Sequence, residues 1–251
     1  VAEAVSIEPV TPSIGHAGGL IDLSTMDREQ LFTSISKIAG SHKGDSPVHC
    51  FYIGRQPYGP IWQLQKALHQ ARAAGDIGDV VLLLEHEPVY TLGKNARADH
   101  LLPGYPSDAE VIATDRGGDI TFHGPGQLVG YPIVDLRDHR QSVTWYMRGL
   151  EGVLIRALAT YGVAGSRKPG LTGVWIDDLK VAALGIRLAK WTTMHGFALN
   201  IAVDHKYLAG MVPCGIDQFG VANLNEHLPA TITTYEAASR VEPVLRAFLG
   251  G

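Results

Sequence analysis

The sequence predicts an α/β chain, equally well described as α+β, with a mixed β-sheet flanked by helices in one domain. Three observations predict it. "DVVLLLEHEPVYTLG" (79–93) opens on a continuous apolar run, the pattern of a strand buried on both faces. "SVTWYMRGLEGVLIRALATYG" (142–162) places Val143, Met147, Leu150, Leu154, Leu158 and Tyr161 on one helical stripe. "GVWIDD", "LKVAALGIRL" and "MHGFALNIAVD" follow as short strands separated by turns. With 251 residues, 45% of them hydrophobic and 18% charged, the chain can bury a sizeable core without needing a second domain.

In chain order, residues 1–22 are rich in Pro, Gly and small residues and read as an arm or loop. "STMDREQLFTSISKIAG" (24–40) reads as a helix with Ser24 as N-cap and Gly40 as stop, and "SHKGD" (41–45) as a linker. Residues 1–46 are therefore taken as an N-terminal extension without chemistry, and 47–251 as the catalytic domain. "VHCFYIGR" (48–55) reads as a strand in which Cys50 packs, and "IWQLQKALHQARAAG" (61–75) as a helix ending at Gly75. Ser142 and Gly162 bound the central helix. "TTYEAASRVEPVLRAFLGG" (233–251) is a terminal helix with a Thr233–Glu236 capping box and an expected kink at Pro243.

Several function classes are disfavoured. A net charge of −4 argues against nucleic-acid binding. No apolar run is long enough to predict a membrane span, and the first residues lack a secretory pattern. Two cysteines make no disulfide framework, so a reduced, cytoplasmic setting is expected. "EHEP" (85–88) has no second histidine at metalloprotease spacing and no Cys-x-x-Cys pair exists, so no metal is expected. Neither a Walker A loop nor a Gly-x-Ser-x-Gly elbow is present.

Four stretches carry candidate chemistry. "DRGGDITFHGPGQLVGYP" (115–132) concentrates Gly117, Gly118, Gly124, Gly126 and Gly130 around Arg116, His123 and Gln127. Glycine permits close approach of backbone to a ligand, although a ligand-free hairpin fits the same composition. Lys180 precedes a small-residue strand. A lysine facing an apolar cleft serves as a base, whereas one at a hairpin surface does nothing. His123 and His195 titrate in the useful range. Finally, "MVPCGI" (211–216) sets Cys214 between Pro213 and Gly215, on a turn that can present a nucleophile. Lys180 or a histidine could activate it; the residues alone leave that choice open.

Taken together, "DRGGDITFHGPGQLVGYP", "GVWIDDLKVAALGIRL", "TTMHGFALN" and "MVPCGI" resemble the signature blocks of the octanoyltransferases of lipoate biosynthesis, members of the biotin/lipoate protein ligase fold. The resemblance extends over roughly 48–250, with "YGPIWQLQ" and "LLLEHEPVYTLG" near the front. It implies Cys214 as acyl-thioester nucleophile and Lys180 as its activating base. It implies an acyl-binding loop of Arg116, Gly117, Gly118, Asp119, Ile120, Thr121, Phe122 and His123. Further binding segments are implied at Ala183, Leu184 and Gly185, and at Gly196, Phe197 and Ala198. No cofactor is implied. The implied donor is octanoyl-acyl carrier protein. The implied acceptors are the lipoyl domains of 2-oxoacid dehydrogenase complexes and the glycine cleavage H protein, and the chain is expected to be a monomer. The rivals are an ATP-dependent lipoate or biotin ligase, which needs no cysteine, a cysteine hydrolase of thioesters or amides, and an inactive acyl-binding module.

Overall fold

The computed structural model describes residues 19–40, 48–212 and 220–250. Its first element is β1 (Ile21–Asp22), two residues of the expected arm that pair in parallel with β2 (His49–Gln56). Between them lies α1 (Arg28–Gly40). It starts later than the pattern suggests, because Asp27 rather than Ser24 supplies the side-chain acceptor, bonding the Glu29 amide at 3.0 Å. α2 (Tyr58–Ala74), by contrast, begins three residues earlier than the pattern suggests, since Pro60 falls in the first turn, where its missing N–H goes unnoticed. Gly75 ends it in the left-handed conformation at φ 81°.

The apolar run becomes β3 (Val80–His86), and Pro88 turns the chain into β4 (Val89–Leu92). β5 (Glu110–Ala113), β6 (Ile120–His123) and β7 (Gln127–Ile133) follow. α3 (Val143–Ala159) is capped by Ser142, whose side chain accepts from the Trp145 amide. Then come β8 (Gly165–Ser166), β9 (Val174–Ile176), β10 (Leu179–Ala189), β11 (Thr192–Asn200) and the short α4 (His205–Leu208). α5 (Thr234–Leu249) opens on the expected capping box and runs through Pro243 without interruption.

Eight strands form one mixed sheet in the order β1-β2-β3-β7-β11-β10-β9-β8, and β5-β4-β6 form a small second sheet. β1, β2 and β3 are parallel; every later neighbour in the large sheet is antiparallel. Side-chain parity then divides two cores. Phe51, Ile53, Val80, Leu82 and Leu84 meet Leu31 and Ile35 of α1 and Ile61 and Leu68 of α2. Cys50, Tyr52, Val81 and Leu83 meet α3 and α5 on the opposite face, through Leu150, Leu154, Val241 and Leu245 among others. Both faces of β3 are thus covered, which is why its sequence does not alternate. Each such buried leucine or phenylalanine contributes roughly 1.5–3 kcal/mol by leaving water. Cys50 is fully buried, and desolvation pushes its thiol up to about 12, so it only packs.

A third cluster gathers Tyr90, Ile120, Phe122, Tyr207 and Leu208, fixing the small sheet and α4 beside the β10–β11 end of the large sheet. No helix among the described residues is long and apolar enough to cross a membrane.

Candidate active site

The space between β6 of the small sheet and β10–β11 of the large one holds two adjoining hollows. The first is bordered by Lys180, Ala182 and Ala183 of β10, by Ile120, Thr121 and Phe122 of β6, and by Gln127 and Asn200. The second is bordered by Arg116, Thr121, His123 and Tyr131, and by the strand segments Ala183, Leu184, Gly185 and His195, Gly196, Phe197, Ala198. Thr121 and Ala183 border both, so they stand at the junction.

Lys180 is held from every side. It pairs with Trp175 of β9, and the β9–β10 register shifts between Lys180 and Ala182. Bulges of this kind re-aim a side chain and recur beside active sites. On its other side the Lys180 amide donates to Gly220 O at 2.9 Å, and the Ala222 amide donates to Lys180 O at 3.1 Å. The side chain is 7% exposed, and its Nζ lies 5.3 Å from the Trp175 ring centroid. Cys214 lies outside the described residues. The chain on either side of it is fixed, however: Met211 bridges Leu101 and borders the first hollow, while Val221 bridges Lys180 and borders the same hollow.

Arg116 is buried behind the second hollow. Its Nε donates to Thr91 Oγ1 at 3.2 Å and its Nη1 to Gly117 O at 3.0 Å. Gly117 in turn donates to Ile186 O at 2.9 Å, and a Cβ on Gly185 would come within 2.9 Å of Gly117 O. Glycine at 185 therefore lets the loop close on β10. Gly118 and Asp119 point elsewhere. Gly118 O accepts from the Asn95 amide, and the Asp119 carboxylate accepts from the Arg97 amide and pairs with His100. Of the stretch 116–123, then, Arg116, Ile120, Thr121, Phe122 and His123 reach the hollows, while Gly117, Gly118 and Asp119 shape the loop that carries them.

A polar relay crosses the site. Gln127 Nε2 donates to Phe122 O and to Asn200 Oδ1, which leaves Gln127 Oε1 to accept from His123 Nδ1 at 2.8 Å. Asn200 Nδ2 donates to Ala222 O at 3.3 Å. His123 is therefore a neutral ring with its lone pair on Nε2, and burial holds its pKa well below the usual value. Beside it, His86 donates from Nδ1 to Gln56 O and accepts the Tyr131 hydroxyl on Nε2. Burial lowers its pKa to about 4. His195 donates from Nε2 to Asp115 at 3.0 Å, and burial lowers its pKa too. These rings are neutral hydrogen-bonding groups rather than free acids.

Asn200 and Tyr131 were absent from the sequence expectations. Both were signalled by the period of two: Asn200 is in phase with Ala198 and Gly196, and Tyr131 with Gln127. The arrangement offers an amine fixed beside a largely apolar hollow with polar groups along one wall, a form suited to holding an acyl chain beside a base.

Residues 57–246 match the lipoyl protein ligase A/B catalytic domain family. Among curated proteins, the chain is 48% identical over 193 residues to an octanoyltransferase of Gloeobacter violaceus, covering 76% of this chain and 84% of that one. It is 45% identical over 206 residues to an octanoyltransferase of Rubrobacter xylanophilus, covering 78% and 91%. Among solved structures it is similar in fold to a lipoate-protein ligase A bound with ATP (TM-score 0.62, 13% identity, 83% of this chain and 86% of that one). A bi-partite lipoate protein ligase from Thermoplasma acidophilum matches with a TM-score of 0.58 at 15% identity, covering 78% and 82%.

Proposed function

Because the chain belongs to the lipoyl protein ligase A/B catalytic domain family and, within it, to the octanoyltransferases, we propose a two-step mechanism in which Cys214 carries the acyl group and Lys180 moves its protons. The protein is an acyltransferase that moves octanoyl groups in protein lipoylation. The Cys214 thiolate attacks the carbonyl of the donor thioester, and the tetrahedral intermediate collapses by expelling the carrier's thiolate. Lys180 takes the Cys214 proton and returns it to that leaving group. The amine of the acceptor lysine then attacks the Cys214 thioester. An amide forms, the C–S bond breaks, and the thiol is regenerated as Lys180 relays the proton from the incoming amine. The acyl chain lies along Thr121 and Ala183 into the hollow bounded by Arg116, His123, Gly185 and Gly196.

One observation carries this reading. Buried Lys180 shares a hollow with Met211 and Val221, the residues that flank the undescribed segment holding Cys214. That placement supports a lysine–cysteine pair. The donor is octanoyl-acyl carrier protein. The acceptors are lipoyl domains, including those of 2-oxoacid dehydrogenase complexes and the glycine cleavage H protein. We take residues 47–251 as the catalytic domain, acting as a monomer in the cytoplasm.

Intact-protein mass spectrometry with octanoyl-acyl carrier protein and no ATP tests the reading. An octanoyl adduct on wild type that maps to Cys214, is missing from Cys214→Ser and discharges onto an added lipoyl domain supports it. An adduct lost only to water means a hydrolase. Modification that appears only with free octanoate and ATP means a ligase, and either result overturns the proposal.

A further inference from the structure

Glu151 is a buried carboxylate in the middle of α3, and the acyl-transfer chemistry makes no use of it. Its Oε2 accepts from Arg148 Nη1 at 2.8 Å and from Arg167 Nε at 2.9 Å. Both arginines are nearly half exposed, at 47% and 41%, so two surface cations balance the buried charge. The other oxygen, Oε1, faces inward and accepts the backbone N–H of Gly173 at 3.1 Å.

Gly173 has φ +148°, a conformation that side-chain-bearing residues rarely adopt. A Cβ there would lie 2.7 Å from Lys180 Cε, 2.8 Å from Ala182 O and 3.0 Å from the Trp175 ring. The aliphatic stem of Lys180 therefore runs directly over the bare backbone of Gly173, with the Trp175 ring beside it. A change in the height or tilt of that peptide moves the lysine amine. The bulge between Lys180 and Ala182 lies opposite, at the point where β9 begins.

We infer that Glu151 is a positioning residue for Lys180, acting through its hydrogen bond to the Gly173 amide, which sets the floor under the lysine side chain. The inference rests on Lys180 being the base in the reaction above. Burying a carboxylate costs stability unless every lone pair is used, and here one oxygen is spent on a single backbone amide beside the lysine.

Two variants separate this role from a purely structural one. Arg167→Met removes one cation from Oε2 and leaves Oε1 on the Gly173 amide; Glu151→Asp keeps the charge for the arginines but withdraws the oxygen by one methylene. With octanoyl-acyl carrier protein as donor and a lipoyl domain as acceptor, we expect Glu151→Asp to lower kcat by on the order of tenfold to a hundredfold, as misplacement of a reacting group does. Its KM for the donor should stay within about twofold, because Glu151 borders neither hollow. Its rate–pH profile should move toward that of Lys180→Met. Arg167→Met should keep a near-wild-type kcat even where its unfolding midpoint falls as far as that of Glu151→Asp. If kcat instead follows stability, with Arg167→Met slowed as much as Glu151→Asp, or if neither variant changes kcat, the positioning role is wrong. If Lys180→Met itself retains wild-type kcat, the underlying reading of Lys180 fails instead, and the two failures are distinguishable.

Discussion

A buried imidazole gives this protein a pH signature. His86 donates to the Gln56 carbonyl and accepts from Tyr131, so both ring nitrogens are committed in the neutral form, and its folded pKa of about 4 lies below the ordinary 6.5. A depressed histidine pKa means that the unfolded chain binds the proton more readily. Stability is therefore whole above about 6.5 and declines as pH falls toward about 4, by roughly 3 kcal/mol from this group. Urea midpoints measured across that window should drop for wild type and slope less steeply for His86→Gln. Parallel slopes would remove His86 as the cause. A second residue-scale outcome concerns Ala183, which with Thr121 stands where the two hollows join. Ala183→Leu adds three carbons at the junction and should cut kcat/KM for octanoyl donors by at least about 10-fold to 200-fold, the range that a misfit of a single methylene produces. Butyryl donors should lose far less. Equal losses for both chain lengths would mean that the chain does not pass this point.

At the scale of elements, β7 and β11 meet through glycine. A Cβ on Gly196 would overlap the carbonyl of Gly130, and one on Gly130 would overlap the Phe197 ring. Neither the carbonyl nor the strand can step aside, so Gly196→Ala should destabilise by roughly 1–3 kcal/mol, read from denaturant midpoints. A midpoint within error of wild type would show that the strands can part there. How much of this was legible depends on period. α3 and the capping box of α5 were visible because six apolar residues at helical spacing and a Thr-x-x-Glu spacing repeat a physical signal. β1 and β8 are two residues each, too short for any period, and exist only because a neighbour offers a free edge. The bulge at Lys180 was equally hidden, since it is a property of pairing with Trp175 and Val221 rather than of "LKVAAL". Within 116–123 the glycines fitted a binding loop and a ligand-free hairpin alike, and only the resemblance implied the loop. Which side chains face the hollow was settled by β6, whose course cannot be read before its partner β4 is known.

For the whole molecule, the apolar face of α1 changes how the N-terminal region must be treated. Leu31, Ile35 and Ala39 are buried in the same cluster as Phe51, Ile61 and Leu82, and β1 extends the large sheet. A chain starting at residue 47 would uncover that face. It should unfold at a lower temperature than the full chain and bind a hydrophobic dye, while the hollows, which neither α1 nor β1 borders, keep their walls. Unchanged thermal unfolding would mean that the extension adds no stability. On the opposite face α5, from the other end of the chain, completes the cover that α3 begins. Tyr52 of β2 reaches Thr234 at the start of α5 across 182 positions, and α5 lays Val241 and Leu245 on the core that includes Cys50, Val81 and Leu83. A ribosome adding about 5–20 residues per second takes roughly ten to forty seconds to cross that gap. Throughout that interval one greasy side of β2 and β3 lacks the α5 part of its cover, which makes the nascent chain, long before any acyl group arrives, a client for whatever shields such surfaces during translation.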